Sequence, residues 1–392
     1  MNGSLEYDES NNKVRLSKLR ARGVQVWSDA RVFVAADAPL DAFESGATLM
    51  NAIIRGSETR IGAGSLIGTS GVAIMENVRT GQGVELGAGS YSECVFLDRV
   101  KIRGFAEIRA NTVLEEEAEL GHNVGLKNTI FTAAVVAGSS INFCDAFVTG
   151  GRSRQDHTEI GSGTVHFNFA PTRDKFASLI GDVTGVLLRS EPVFIGGNSG
   201  IVAPAFLQFG ALVPAGTIVR RHFVNASGAS HLRGRQRAFF GKLSLAVEFI
   251  ANLTAYAIWY GGVRLLAASP TESILYRSVL RLVQRNLDRR REELTNFLNR
   301  AINDKSPDPI VVECAARTLQ LVQQWDSAAN ASAAPGKFAR SYVNLRRKLD
   351  HRQSIAALSK ADTVLAANWL NGIVRDVIAR HRIQLLPVEN SL

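Results

Sequence analysis

The chain has 392 residues, a formal net charge of +9, 46% hydrophobic residues and 34 glycines. That content excludes a disordered polymer, and the length allows one large elongated domain with a smaller one beside it. Three dispersed cysteines, Cys94, Cys144 and Cys314, exclude a disulfide scaffold and make no metal-ligand spacing.

The acidic, polar start (MNGSLEYDESNNK) does not read as a signal peptide, so a cytoplasmic location is expected. Residues 1–44 read as an N-terminal segment and cap. From 45 to 225 a repeat dominates. A small or branched residue recurs every six positions at Val100, Ala106, Thr112, Ala118, Val124, Ile130 and Val136. A second aliphatic row follows two positions later at Ile102, Ile108, Leu114, Leu120 and Leu126. The period returns at Ile61 and Ile67, and again at Ile195, Ile201, Leu207, Val213 and Val219. An α-helix cannot hold a six-residue stripe on one face. A three-faced coil can, so the fold expected is mainly β: a single-stranded left-handed parallel β-helix, a hexapeptide-repeat solenoid of about ten coils at about 18 residues each. Gly62, Gly68, Gly87, Gly121 and Gly196 are expected at corners with unusual backbone angles. The rows break over 142–192, where long loops could carry binding residues.

Residues 226–392 read as a mostly α-helical C-terminal region. The apolar run within Arg237–Ala268 is too short in its uncharged part to span a bilayer and is expected as a buried or inter-subunit helix, with no membrane span. Thr271–Ile302, Asp308–Trp325 and Lys337–Arg382 read as further amphipathic helices. The basic residues near Arg233–Arg237 and Arg281–Arg291 are interleaved with acids, which favours a solvated helix face over a nucleic-acid surface.

Two stretches carry a resemblance. Ile160-Gly161-Ser162-Gly163-Thr164, Asn168-Phe169, Lys175-Phe176, Val202-Ala203-Pro204 and Pro214-Ala215-Gly216-Thr217 resemble the acetyltransferase half of the bacterial bifunctional enzymes that acetylate glucosamine-1-phosphate and uridylylate the product. The resemblance runs over roughly residues 15–225. The nucleotidyltransferase half would need a glycine-rich phosphate loop of the LxAGxGTRM type, which the sequence lacks, so pyrophosphorylase activity is not expected. FAEIRA and GHNVGLKN resemble the family's FARLR and VGNFVEMKK segments, which implies that Arg109 and Lys127 contact the phosphates of a uridine-diphosphate sugar such as UDP-N-acetylglucosamine.

The spacing gives an independent argument for that pair. Residues 18 apart occupy one corner on successive coils, about 5 Å apart, and two such cations repel unless an anion or nearby acids compensate. Glu107, Glu115, Glu116 and Glu117 are the alternative partners.

The resemblance also implies a sugar site at Asn142, Asn168, Phe169 and Lys175, and an acyl-CoA groove along Gly197 and Ala215. Its catalytic His falls on Ser139, and a hydroxyl is a poor proton acceptor near neutral pH. His157 and His166 are the replacement candidates; with His122 they lack the spacing of a zinc site. The expectation is an acyltransferase-like homotrimer that binds a sugar nucleotide or sugar phosphate, with acetyl-CoA or another acyl-CoA as co-substrate and no tightly bound cofactor. The alternative is a catalytically silent binding or assembly protein.

Overall fold

The computed structural model describes residues 9–168, 174–220, 234–323 and 333–382. Short parallel strands stack into three sheets of 10, 7 and 10 strands, which form the faces of a solenoid of about ten turns. The first sheet runs from Gln25–Val26 to Leu212–Val213, the second from Val32–Val34 to Ile218–Arg220, and the third from Arg79–Thr80 to Phe206–Leu207. The solenoid therefore starts on Gln25, ahead of the expected start at 45, because Gln25 and Val26 already pair with Thr48 and Leu49.

Helix α1 (Glu9–Ala21) closes that end. Its Leu16 and Leu19 enter the solenoid core, and its Asn12 side chain donates to Val32 O at 2.9 Å and accepts from Val34 N at 3.0 Å. One amide thus pairs backbone groups that an edge strand would otherwise leave exposed.

Inside the solenoid the aliphatic rows stack as the period predicts, with Ile102, Ile108, Leu114, Leu120 and Leu126 all in one core. Within residues 100–136 the six-residue count slips once; elsewhere other steps occur, such as 16 from Glu85 to Lys101 and 19 from Leu66 to Glu85. Glu107 pairs with Gly125, a step of 18, but Val113 pairs with Ile130, a step of 17. Thr129 and Val135 therefore point inward, whereas Ile130 turns outward beneath the helices and Val136 is half-buried, contrary to the period.

The corner glycines need correcting as well. Of the five expected at unusual angles only Gly68 has a positive φ (82°). Gly62 is required by close stacking instead, since a Cβ there would lie 2.1 Å from Gly81 O on the next coil. The left-handed corners are carried largely by other residues, among them Asn77, Phe105, Asn111, Asn123, Asn128 and Asp145.

The helical region packs against the outer face of the third sheet, where Val95, Val113, Ile130, Phe147 and Leu179 share a second core with it. Helix α2 (Gly234–Trp259) continues through a π-helical turn, Tyr260–Arg264, and a 3₁₀ turn, Leu265–Ala267. The span Gln236–Ala267 is long and apolar enough to cross a membrane by length and composition, but 67% of its most apolar window is buried within the chain. Helix α3 (Pro270–Ile302) begins with a capping box formed by Ser269 and Glu272. Helix α4 (Pro309–Gln323) follows it. The expected single segment Lys337–Arg382 is instead three helices, α5 (Gly336–Arg346), α6 (His351–Ala356) and α7 (Lys360–Arg382). A second capping box, Asp350 with Gln353, starts α6, and Ser359 caps the start of α7 through Asp362 N.

Helix α3 straps the coils together. Arg281 pairs with Glu58, Arg285 with Glu93, Arg290 with Asp145 and Arg300 with Asp174, while Asn286 donates to Asn111 O. This basic face is a docking face, not the solvated face its acids suggested. A further cluster locks α2 to the solenoid. Glu115 Oε1 accepts from the hydroxyls of Tyr256 and Tyr260, both at 2.6 Å, and Glu116 pairs with Arg264. Arg264 is 0% exposed and lies between the rings of Tyr260 and Tyr276, 4.8 and 4.3 Å from their centroids.

Candidate functional site

The third sheet is covered by helices, whereas outward residues of the second sheet, such as Glu107, Asn142 and Val165, are exposed. Along each second-sheet strand the side chains alternate in and out. The register fixes three rows. Glu107, Gly125, Asn142 and Val165 form one outward row, and Ile108, Leu126, Phe143 and His166 form the inward row between. Arg109 directly follows Ile108, which pairs with Leu126, and its backbone N donates to Leu126 O at 2.9 Å. Arg109 therefore sits beside Lys127, and Lys127 pairs with Cys144 on the next coil.

The two cations are thus stacked as their spacing requires, about 5 Å apart along the axis. Three of the four acids that could have neutralised them are engaged elsewhere, and the fourth, Glu107, is exposed two residues before Arg109. Glu115 and Glu116 face Arg264, and Glu117 pairs with Arg99 and Arg352. Among the described residues neither Arg109 nor Lys127 has a carboxylate within 4.0 Å. Arg109 Nη2 donates to Cys144 Sγ at 3.3 Å, and its buried Nε has no partner. Burial pushes the Cys144 thiol pKa up, against the pull of Arg109 and Lys127. Hydroxyls brace the backbone behind both cations, Thr112 Oγ1 donating to Arg109 O and Thr129 Oγ1 to Lys127 O.

The corner behind this row is equally fixed. Asn111 donates to Asn128, Asn128 to Asp145, and Asp145 also accepts from Arg290 at 2.8 Å. Helix α3 therefore holds the coils that present Arg109, Lys127 and Cys144. Over the neighbouring row of Glu107, Gly125 and Asn142 lies an open cavity of about 360 Å³, also lined by Phe105, Asn123 and Ser140; Arg109 reaches its edge and Lys127 does not line it.

The remaining sequence candidates fall in different places. Asn142 is exposed on the cavity wall. Ser139 lies at the neighbouring corner, where its Oγ accepts from His122 N at 3.1 Å and its own N donates to Ser162 Oγ. It serves the stacking of corners. His166, a candidate base, points into the solenoid: it is 3% exposed, its Nε2 is 2.8 Å from Ser178 Oγ, and burial pushes its pKa down to about 4. That placement follows from strand alternation, since His166 continues the inward row of Ile108 and Leu126, and it leaves the imidazole no path to a ligand on the outer face.

His157 lies on an antiparallel hairpin of Gly151–Ser153 with Asp156–His157. Its Nδ1 is 2.8 Å from Arg154 O, and Arg154 ties the hairpin to Glu119 on the first sheet, away from the Arg109 row. Asn168 ends its strand and accepts from Phe176 N at 2.7 Å. Lys175 is exposed, next to a buried Asp174 held by Lys242 and Arg300. Phe169 lies outside the described residues. Gly197 and Ala215 stack on one corner near the end of the solenoid, as their neighbours Ile195 and Val213 pair and Gly216 N donates to Gly197 O at 2.9 Å. Among the described residues no group of three or more His, Cys, Asp or Glu could hold a metal ion.

Sequence reasoning did not single out Gly125, Asn123, Ser140 or Cys144. Gly125 and Asn123 could have been found by carrying the row and its corner 18 residues on from Glu107 and Phe105. Ser140 and Cys144 required the 17-residue step that follows Lys127.

No protein-family model matches the chain. The bifunctional protein GlmU of Pseudomonas entomophila (strain L48) is 34% identical over 161 residues, 41% of this chain and 32% of that protein. GlmU of Azotobacter vinelandii is 36% identical over 137 residues, 35% of this chain and 26% of that protein. GlmU of Nitratidesulfovibrio vulgaris (strain DP4) is 28% identical over 199 residues, 50% of this chain and 40% of that protein. The chain spans about a third of the length of these relatives, within their C-terminal acetyltransferase part. The solenoid is accordingly an acyltransferase-like left-handed β-helix.

Proposed function

We propose that the second-sheet face binds a sugar nucleotide or sugar phosphate, with Arg109 and Lys127 holding its phosphate groups. One observation carries the reading: two stacked cations with no carboxylate within 4.0 Å among the described residues, while Glu115, Glu116 and Glu117 are committed elsewhere. A guanidinium fork above an ammonium suits a diphosphate, which would relieve their repulsion. Asn142 on the cavity wall, with Asn168, Phe169 and Lys175, would place the sugar. UDP-N-acetylglucosamine is the ligand of choice, by likeness to the acetyltransferase part of the GlmU proteins.

Ligand binding without His-dependent acyl transfer is the reading the geometry favours. Ser139 is engaged in the corner ladder, and His166 is sealed inside the coil. The second reading is acyl transfer to the bound sugar, with acyl-CoA along the Gly197 and Ala215 corner and His157 as base. It is favoured by the likeness to acetyltransferases and by the half-exposed imidazole of His157. A homotrimer would bury the exposed Val165, Phe167 and Ile218 of the second sheet. A cytoplasmic location accords with three free cysteines and with an acyl-CoA donor.

A thermal-shift titration separates these readings, because a ligand that binds only the native state must raise the melting temperature. Stabilisation by UDP-N-acetylglucosamine alone supports the binding protein. Stabilisation by acetyl-CoA as well supports the transferase, and no response to either overturns both.

A further inference from the structure

Gly125 lies within the strand Gly125–Lys127, directly between Glu107 on one neighbouring coil and Asn142 on the other. Nothing in the fold demands a glycine there. Its φ is not positive, and the nearest atom to an added Cβ would be Asn142 Oδ1, at an ordinary 3.5 Å. Gly62 and Gly87 are different, because a Cβ at either would drive into the backbone of the next coil at 2.1 or 1.6 Å. A glycine inside a strand weakens it and often marks a close approach by a ligand. The missing side chain here opens the floor of the cavity between Glu107 and Asn142.

The surroundings specify what could lie in that opening. Glu107 is exposed and presents an acceptor-only carboxylate at one end, and Asn142 presents an amide at the other. The two stand two interstrand spacings apart, about 10 Å, which one ring with a hydrogen bond at each edge can bridge. Arg109 lies on the same outward face as Glu107, two residues on, and Phe105 is 72% exposed at the flanking corner.

We propose that Gly125 is the specificity-determining opening of this site: a polyol ring bearing hydroxyl or amino donors lies across it, bonded to Glu107 and Asn142, with its phosphate on Arg109 and Lys127. This rests on the phosphate-binding reading above and deepens it. The exposed flat face of Phe105 would shield the C–H face of the ring. Gly125→Val or Gly125→Ala would fill the floor, and both residues suit a strand at least as well as glycine.

The test is calorimetric titration of the full chain and its Gly125→Val, Gly125→Ala and Glu107→Gln variants. The probes are inorganic pyrophosphate, glucose 1-phosphate and glucosamine 1-phosphate. Gly125→Val should keep its melting temperature and its pyrophosphate affinity, yet bind both sugar phosphates about tenfold or more weakly, as for the loss of a polar contact. Gly125→Ala should fall in the same direction, and it stands in if the valine variant does not fold. Glu107→Gln should weaken glucosamine 1-phosphate alone if the donor is an amine, and both sugars if it is a hydroxyl. Unchanged sugar-phosphate binding in both glycine variants, with pyrophosphate still bound, overturns the opening and leaves the phosphate site intact. A wild-type chain that binds none of the three probes overturns the phosphate reading and this proposal together.

Discussion

Replacing Arg264 by leucine should loosen the helical region from the solenoid. The guanidinium is 0% exposed and faces two carboxylates that are themselves nearly sealed, Glu115 at 2% and Glu116 at 5%. Removing it leaves two adjacent acids in a low-dielectric site with no counter-charge. Breaking a buried pair in this way costs about 3–5 kcal/mol. The loss of its contacts with the Tyr260 and Tyr276 rings adds roughly 1 kcal/mol. Part is recovered because burial already pushes the Glu115 pKa up, so that carboxyl takes a proton readily. The Tyr256 and Tyr260 hydroxyls go on serving it. The expected net loss is about 4 kcal/mol. Trp259, fully buried against Phe338 and Tyr342, gives the readout through its fluorescence during urea unfolding. A loss below about 1 kcal/mol would refute the claim that this cluster fastens the helices to the coil.

Two further outcomes follow from the same contacts. His166 is neutral in the fold, with its pKa pushed from 6.5 to about 4, so the unfolded chain takes up a proton in that window that the folded chain does not. Its contribution to stability is complete above pH 6.5 and is lost as the pH falls towards 4, on the order of 3 kcal/mol. His166→Leu should remove that slope, and pH–stability curves for variant and wild type that run parallel would contradict it. Arg290→Leu strips the buried Asp145 of its 2.8 Å partner and should cost about 2–4 kcal/mol. Undiminished thermal stability in that variant would show that α3 does not hold the Cys144 coil.

The solenoid was legible because a six-residue period has one physical solution, and the 18-residue separation that follows from it stacked Arg109 and Lys127 on successive coils. It does not carry to His166, because the row reaches that residue through steps of 17 and 23 residues, so the imidazole could be judged only by residue type. The slip to 17 residues after Lys127 was not legible, since Thr129 and Ile130 both suit an inward position and only the stacking chooses. Glu115, Glu116 and Glu117 read as alternative partners of Arg109 and Lys127 because their actual partners Arg264 and Arg352 lie more than a hundred residues away in sequence. Long-range pairing leaves no local trace. The breaks between α5, α6 and α7 did leave one, in Asp350 with Gln353 and Ser359 with Asp362, each at the spacing of a helix cap. The glycine at 125 is quiet in the sequence and meaningful only once its neighbours Glu107 and Asn142 are known.

The phosphate site is tested most directly by calorimetric titration of UDP-N-acetylglucosamine into the wild-type chain and its Arg109→Ala variant, side by side. Saturable binding that weakens by about 1–3 kcal/mol in the variant, with the melting temperature of the free protein unchanged, is the predicted result. Equal affinity in the two proteins would contradict the stacked Arg109 and Lys127 clamp.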